Sequence, residues 1–303
     1  MVTLQEDKDQ ASKVLILGGD GGLLGSALVC VFKADGWKVD ATKRKDFDHL
    51  DPVRLKEVIS ASKPDLIINT IAYTQVDQAE DEPQQADKVN RILPLTLGEI
   101  VKKLGIKLIH YSTDFVFSGS KKKPYLTTDE PSSESVYGKT KLDGEKTLLA
   151  LDSKDICIIR TAWLFGPSKK NFVATILKLC ETKKELNVVF DQIGSPTYTV
   201  DLAEYSLALA KKLMLGQASG IYHIVNSGQA SWCELAAEAV RLSQSDCRIL
   251  AISSDQYPQK AKRPPYSVLD TSRFTELTGV TPRPWLKGLS DFLYREDKNQ
   301  VCK

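Results

Sequence analysis

The sequence predicts an α/β fold: a doubly wound parallel sheet with a smaller C-terminal substrate-binding lobe. Three observations carry this expectation. Apolar runs of strand length alternate with segments of helical periodicity through the first half of the chain, the pattern of successive βαβ units. A glycine cluster, Gly18-Gly19-Asp20-Gly21-Gly22-Leu23-Leu24-Gly25, stands between the first apolar run and the first helical pattern, where a Rossmann-type sheet receives a dinucleotide. After about Gly166 the alternation becomes less regular, which marks the second lobe.

The elements follow in order. Residues 13–17 (KVLIL) form the first strand, and Leu23, Leu24, Ala27, Leu28, Val31 and Phe32 then recur at helical spacing. Residues 37–41 suit a second strand. Asp51-Pro52 opens the next helix, because Asp caps a helix and Pro fits its first turn. Buried strands are expected at 65–69, 106–110 and 156–160, with a helix around 94–103 between the first two. Beyond residue 166 the pattern supports helices near 172–182 and 231–242 and strands near 187–190, 220–225 and 248–252. The resulting division is a flexible lead-in (1–12), a dinucleotide-binding domain (13–169) and a mainly substrate-binding lobe (170–303), some of whose segments return to the first domain. The lobe should close over the C-terminal edge of the sheet, where open α/β sheets bind ligands.

Composition narrows the function. Lysine and arginine number 41 against 39 aspartates and glutamates, a net charge of +2, which gives no reason to expect nucleic acid or a membrane surface as partner. No apolar run reaches the ~18 residues of a membrane span. The polar start, with Glu6, Asp7 and Asp9, does not resemble a secretory signal. Cys30, Cys157, Cys180, Cys233, Cys247 and Cys302 are scattered, and neither they nor His49, His110 and His223 show zinc-ligand spacing. Cys30 and Cys157 fall in apolar surroundings, where cysteine acts as a small hydrophobe. A reduced, cytoplasmic protein with no metal is expected.

Gly19, Gly22 and Gly25 match a Gly-x-x-Gly-x-x-Gly turn. The first permits the tight turn, the second lets backbone approach a pyrophosphate, and the third lets helix pack on strand. After the second strand stand Lys43 and Arg44, cations suited to a ribose 2′-phosphate, so NADPH is favoured over NADH. Asp40 is the competing feature, since a carboxylate there would suit the 2′-hydroxyl of NAD. Asp48 is placed to accept from an adenine amino group.

Tyr137 and Lys141 are four residues apart and on a helix share a face. An ammonium near a phenol favours the phenolate, and the expectation is a tyrosine tuned downward as a general acid. Ser112-Thr113-Asp114 ends the strand at 106–110, at the sheet edge where a hydroxyl can bond a substrate carbonyl as charge builds on its oxygen.

With these motifs in place, the chain resembles the extended short-chain dehydrogenase/reductases, and within them the dTDP-4-dehydrorhamnose reductases. The resemblance covers residues 13–293. It rests on the glycine turn, on the runs at 69–77 (NTIAYTQVD), 111–119 (YSTDFVFSG), 136–141 (VYGKTK) and 160–166 (RTAWLFG), and on Asn171-Phe172. It continues through 191–197 (DQIGSPT), 220–223 (GIYH) and Arg263-Pro264. It implies a Thr113–Tyr137–Lys141 trio, with NADPH giving hydride to C4 of a dTDP-4-keto-6-deoxy sugar and Tyr137 protonating the oxygen. Thr113 or Asp114 would orient the carbonyl. Leu23, Leu24, Ala72, Tyr73, Thr74 and Asn90 match positions near the cofactor, and Lys141 would also hold the nicotinamide ribose. For the sugar nucleotide, Trp163 offers an aromatic wall, Asn171 a hydrogen bond and Arg263 a clamp for the diphosphate.

A homodimer is compatible with the family. Gly25-Ser26-Ala27 carries no carboxylate, so the metal-bridged assembly attributed to some members, and Mg2+ with it, lacks support here. Two other readings stay open: a non-catalytic NADP-binding regulatory subunit like the methionine adenosyltransferase β subunit, which shares the run at 137–146, and a nucleotide-sugar epimerase.

Overall fold

The computed structural model describes residues 11–43 and 45–294. Its first part runs β1 (Lys13–Leu17), α1 (Leu23–Ala34), β2 (Lys38–Ala41), α2 (Pro52–Ser62), β3 (Leu66–Asn69), α3 (Val76–Ala79), α4 (Pro83–Asp87), α5 (Leu93–Leu104), β4 (Lys107–Thr113), α6 (Val136–Leu149) and β5 (Ile156–Thr161). A π-helical turn, Lys88–Ile92, joins α4 to α5, and a 3-10 turn, Asp114–Val116, follows β4. The second part adds β6 (Leu164–Phe165), α7 (Phe172–Cys180), β7 (Glu185–Val189), β8 (Ile193–Gly194), β9 (Thr197–Tyr198), α8 (Thr199–Met214), β10 (Gly220–His223), β11 (Ala230–Ser231), α9 (Trp232–Leu242), β12 (Arg248–Ile252), α10 (Ser272–Thr278) and α11 (Trp285–Tyr294).

Six strands form one sheet in the order β10-β5-β4-β3-β1-β2, and every pairing in it is parallel. The apolar strands serve two faces by alternation. Val14 and Ile16 join the core under α1 and α8, while Leu15 and Leu17 join the core under α2 and α5. Ile159 and Ile158 on β5 divide the same way. This explains continuous apolar runs in place of a polar–apolar alternation. The order reverses at β1, between β3 and β2, so the C-terminal ends of β1, β3 and β4 border the crevice in which such sheets bind ligands.

The Asp51 expectation holds, since its carboxylate accepts from the amides of Val53 and Arg54 at the start of α2. The parallel pair β7–β12 lies outside the main sheet, with α7 and α9 packed against it around Leu186, Val188 and Ala236. One expectation is corrected. Cys30 on α1 is disulfide-bonded and not a packed thiol; bridging depends on proximity in space, which sequence spacing does not report. Cys302 and residues 1–10 of the expected lead-in lie outside the described residues.

Candidate active site

The start of α1 is built to leave its amides open. Asp51, Ser135, Asn171 and Ser231 cap α2, α6, α7 and α9 with their own oxygens, whereas Gly22 offers α1 no side-chain cap. The first-turn N–H groups and the positive end of the helix dipole therefore face the end of β1, a fit for the pyrophosphate of a dinucleotide. A Cβ on Gly22 would lie 2.6 Å from the Gly18 carbonyl oxygen, and one on Gly25 would lie 2.3 Å from the same atom. Only glycine closes the turn at both positions. Leu24 packs in the core beneath it, and Leu23 is half-buried.

Beyond β2, Lys43 lies beside this turn and pairs with Asp20 at 3.1 Å, both side chains exposed. Arg44 lies outside the described residues. Asp40 is committed elsewhere: Lys13 binds it at 2.8 Å and the Ser62 hydroxyl at 2.6 Å. Asp48 accepts from the Leu50 amide at 2.9 Å.

The loop after β3 is tied to the helix bearing Tyr137. Asn90, fully buried in the π-helical turn, accepts from the Tyr73 amide (2.9 Å) and donates to the Tyr73 carbonyl (3.2 Å) and to the Thr140 hydroxyl (3.1 Å). The Thr140 hydroxyl donates in turn to the Tyr137 carbonyl at 3.0 Å. Asn90 thereby fixes Ala72-Tyr73-Thr74 relative to α6. Tyr73 also donates through its hydroxyl to Glu82 at 2.8 Å.

Thr113 ends β4, accepting from the Phe115 amide at 3.2 Å and donating to Asp114 at 3.0 Å. Tyr137 stands in the first turn of α6, edge-on to Phe115 with ring centroids 5.5 Å apart, and Thr113 is near enough to act on its phenol. The run Tyr137-Gly138 permits this approach. A Cβ on Gly138 would lie 2.2 Å from the Phe115 carbonyl oxygen, so a larger residue would push α6 away from the end of β4. Asp114, almost fully buried, accepts from Ser267 at 2.5 Å, and burial pushes its carboxyl up to about 6.

The Tyr137–Lys141 expectation is corrected here. Burial pushes the phenol up to about 12, with Thr113 pulling the other way and Asp114 pushing it further up; Lys141 is not among the groups that shift it. Lys141 turns inward, donating to the Tyr111 carbonyl at 2.5 Å and standing 3.2 Å from His110 Nε2. It is buried almost completely and drawn down to about 8. Helical spacing placed the two residues on one face, but the lysine stem reaches into the β4 backbone.

The three residues expected at the sugar nucleotide lie on separate segments. Trp163, two residues beyond β5, takes a left-handed φ of 48° and stacks on Trp232 of α9 at 3.6 Å, nearly parallel. Asn171 caps α7, accepting from Ala174, and donates to the carbonyls of Gly166 (2.8 Å) and Lys169 (2.9 Å). Arg263 grips Asp77 of α3, so a carboxylate already fills its fork. A small cleft beside the N-terminus of α6 is lined by Phe115, Ser133, Ser135, Lys262 and Arg263. Among the described residues, no group of three or more His, Cys, Asp or Glu side chains is placed to hold a metal ion.

Sequence reasoning missed His110, Ser267 and Trp232. A histidine inside an otherwise apolar strand was the available signal for the first; the serine carried none, and the tryptophan reads as core at helical spacing.

The sheet order and the glycine turn define a Rossmann-type protein of the short-chain dehydrogenase/reductase kind. The family model described as RmlD substrate binding domain matches residues 12–297. The spore coat polysaccharide biosynthesis protein SpsK of Bacillus subtilis is 39% identical, covering 96% of this chain and 99% of its own. A dTDP-4-dehydrorhamnose reductase of Aggregatibacter actinomycetemcomitans is 37% identical, covering 91% of this chain and 97% of its own. Among solved structures, a dTDP-4-dehydrorhamnose reductase of Bacillus anthracis in complex with NADP superposes with a TM-score of 0.87 at 32% identity, covering 93% of this chain and 99% of that one. The chain belongs to the dTDP-4-dehydrorhamnose reductase family.

Proposed function

We propose that this protein reduces the C4 keto group of dTDP-4-dehydro-L-rhamnose to give dTDP-L-rhamnose, a precursor of cell-surface polysaccharide. Bound NADPH supplies the hydride. The observation that carries the reading is the Tyr137 phenol beside Thr113 at the end of β4, two strands along the sheet from β1 and the uncapped start of α1. Tyr137 gives its proton to the nascent alkoxide, and Thr113, turning its one hydroxyl proton from Asp114, donates to the carbonyl oxygen. Its partial burial keeps the phenol protonated at neutral pH, the state a proton donor needs.

For the cofactor, Gly19, Gly22 and Gly25 bring backbone to the pyrophosphate, and Lys43 and Arg44 favour the 2′-phosphate. Asp48 serves the adenine, while Ala72, Tyr73 and Thr74, braced by Asn90, line the nicotinamide side with Lys141. The Asn90 contacts support a bracing role in place of direct cofactor contact. For the sugar nucleotide, Trp163 supplies a rigid wall, Asn171 holds the turn before α7, and Arg263 is reached by the diphosphate only by exchanging partners with Asp77. Residues 13–169 act as the dinucleotide domain and 170–303 mainly as the substrate lobe, with β10 returning to the sheet. We place the protein in the cytoplasm, where its cofactor circulates; among the described residues no helix is long and apolar enough to cross a membrane, and the Cys30 disulfide is the observation against that location. A homodimer is part of the same reading.

The test follows NADPH absorbance with the dTDP-4-keto-6-deoxy sugar. Stoichiometric oxidation of NADPH with formation of dTDP-L-rhamnose is expected. Cofactor binding without turnover would instead mark a regulatory protein, and conversion without net consumption an epimerase.

A further inference from the structure

The buried neighbours of Lys141 form a chain whose direction is fixed at its far end. The Ile71 amide donates to Asn69 Oδ1 at 3.0 Å, which settles the orientation of that side chain amide. Asn69 Nδ2, a donor, therefore faces His110 Nδ1 at 3.1 Å. A neutral imidazole that accepts at Nδ1 carries its proton on Nε2. Nε2 is the atom that stands 3.2 Å from Lys141 Nζ. An ammonium has three donors and no acceptor, so it would meet this N–H with like polarity; an amine has a lone pair to receive it.

We propose that His110 holds Lys141 as an uncharged amine in the cofactor-free protein, through hydrogen bonds running one way from Asn69 to His110 to Lys141 and on to the Tyr111 carbonyl. The amine uses its lone pair toward His110 and one N–H toward Tyr111, at 2.5 Å. His110 is then a positioning residue that acts through Lys141.

The surrounding charges agree. From α6, Glu145 lies one turn beyond Lys141, but Arg160 of β5 takes both its oxygens at 2.9 and 2.6 Å. Glu145 favours a charged Lys141, and that guanidinium has already claimed it. From β4 the facing group is His110, and on the 3-10 turn the oxygens of Asp114 are taken by Ser267 and Thr113. Asn69, His110 and Lys141 are each at most 1% exposed, so an ammonium here would sit in a dry site with the Glu145 carboxylate neutralised by Arg160, at a substantial desolvation cost. Burial already draws His110 well below its ordinary range and Lys141 down to about 8; a donor aimed at Nζ lowers the lysine further.

The experiment is nuclear magnetic resonance on the 15N,13C-labelled full chain without cofactor. Long-range imidazole spectra read the His110 tautomer, and lysine 13Cε shifts read the Lys141 titration. The expected result is a proton on His110 Nε2 and a Lys141 midpoint below ~7, so that the amine predominates at neutral pH. A proton on Nδ1, or a midpoint at or above that value, overturns the proposal. Two variants sharpen it. Asn69→Asp keeps the oxygen that Ile71 uses, replaces the donor by an acceptor, and should move the His110 proton to Nδ1. His110→Phe removes the donor without adding charge. Both should raise the Lys141 midpoint by ~1 unit or more, and a midpoint unmoved in His110→Phe counts against the proposal. The measurement concerns the protein without ligand, so failure to bind NADPH would refute the proposed function and leave this result intact.

Discussion

Asp77 of α3 and Arg263 of the strap that follows residue 259 are joined by two parallel hydrogen bonds, 3.0 and 2.7 Å long. The same carboxylate accepts from the amides of Lys260 (3.1 Å) and Ala261 (3.0 Å). Arg263 and these amides hold it below the usual carboxylate range. A residue just past the β3 loop thus pins a segment 186 positions away.

Loosening that strap should affect the sugar nucleotide more than the cofactor. Asp77→Ala is expected to raise the KM for the sugar nucleotide ~3–10-fold with NADPH affinity almost unchanged. The half-exposed pair should contribute only ~1 kcal/mol of stability. Arg263→Ala separates two roles by steady-state kinetics. A clamp on the diphosphate raises KM well beyond the Asp77→Ala value, while a latch alone gives the same increase.

Tyr137→Phe removes the proton donor and keeps the ring that packs on Phe115. Turnover should fall ~10²–10⁴-fold with NADPH binding nearly intact by fluorescence titration. Unchanged turnover would refute the assignment of the acid.

Replacing Lys43 and Arg44 together by Ala should weaken NADPH much more than NADH. Lys43 is held beside the glycine turn by Asp20, so the loss should be greatest at low salt, where exposed charges are least screened. Equal losses for both cofactors would count against the basic loop as the 2′-phosphate site.

A Cβ on Gly194 would lie 2.4 Å from Trp163 Cε2. Gly194→Ala should therefore shift the indole off Trp232, raising sugar-nucleotide KM ~10-fold, a loss of ~1.4 kcal/mol of binding, without altering NADPH affinity. Quenching and wavelength of tryptophan emission check the displacement directly.

Asp114 gives a pH signature. Its folded-state value, about 6, lies above the ordinary 3.8, so the native state holds a proton that the unfolded chain releases between these values. Its contribution favours the fold below about 3.8 and is lost as pH rises through about 6. The difference in unfolding free energy between wild type and Asp114→Asn should fall across that window, by up to ~3 kcal/mol, and stay flat above it. A flat difference throughout would mean the carboxyl titrates normally.

How much was legible follows from the range of each interaction. The glycine turn could be read because Gly22 and Gly25 both answer to the Gly18 carbonyl, a few residues away. The Asp51 cap acts on its own next turn. The Tyr137–Lys141 pairing was read from helical spacing and misjudged, because Lys141 meets atoms 30 and 31 residues earlier. Arg263 was identified as an anion clamp from its chemistry, and the structure supplies the anion from Asp77.

The amino-acid sequence alone determined the layered α/β architecture, the place of the glycine turn and the residue types at the sheet edge, since these follow from periodicity and near-neighbour sterics. Tertiary structure alone decided which polar groups meet: the Trp163–Trp232 stack, the Ser267–Asp114 contact, and the Asn69–His110–Lys141 chain. Partner choice in a dry interior depends on distances between strands and helices remote along the chain, and there an unmatched donor or charge is costly enough to dictate which atoms face each other.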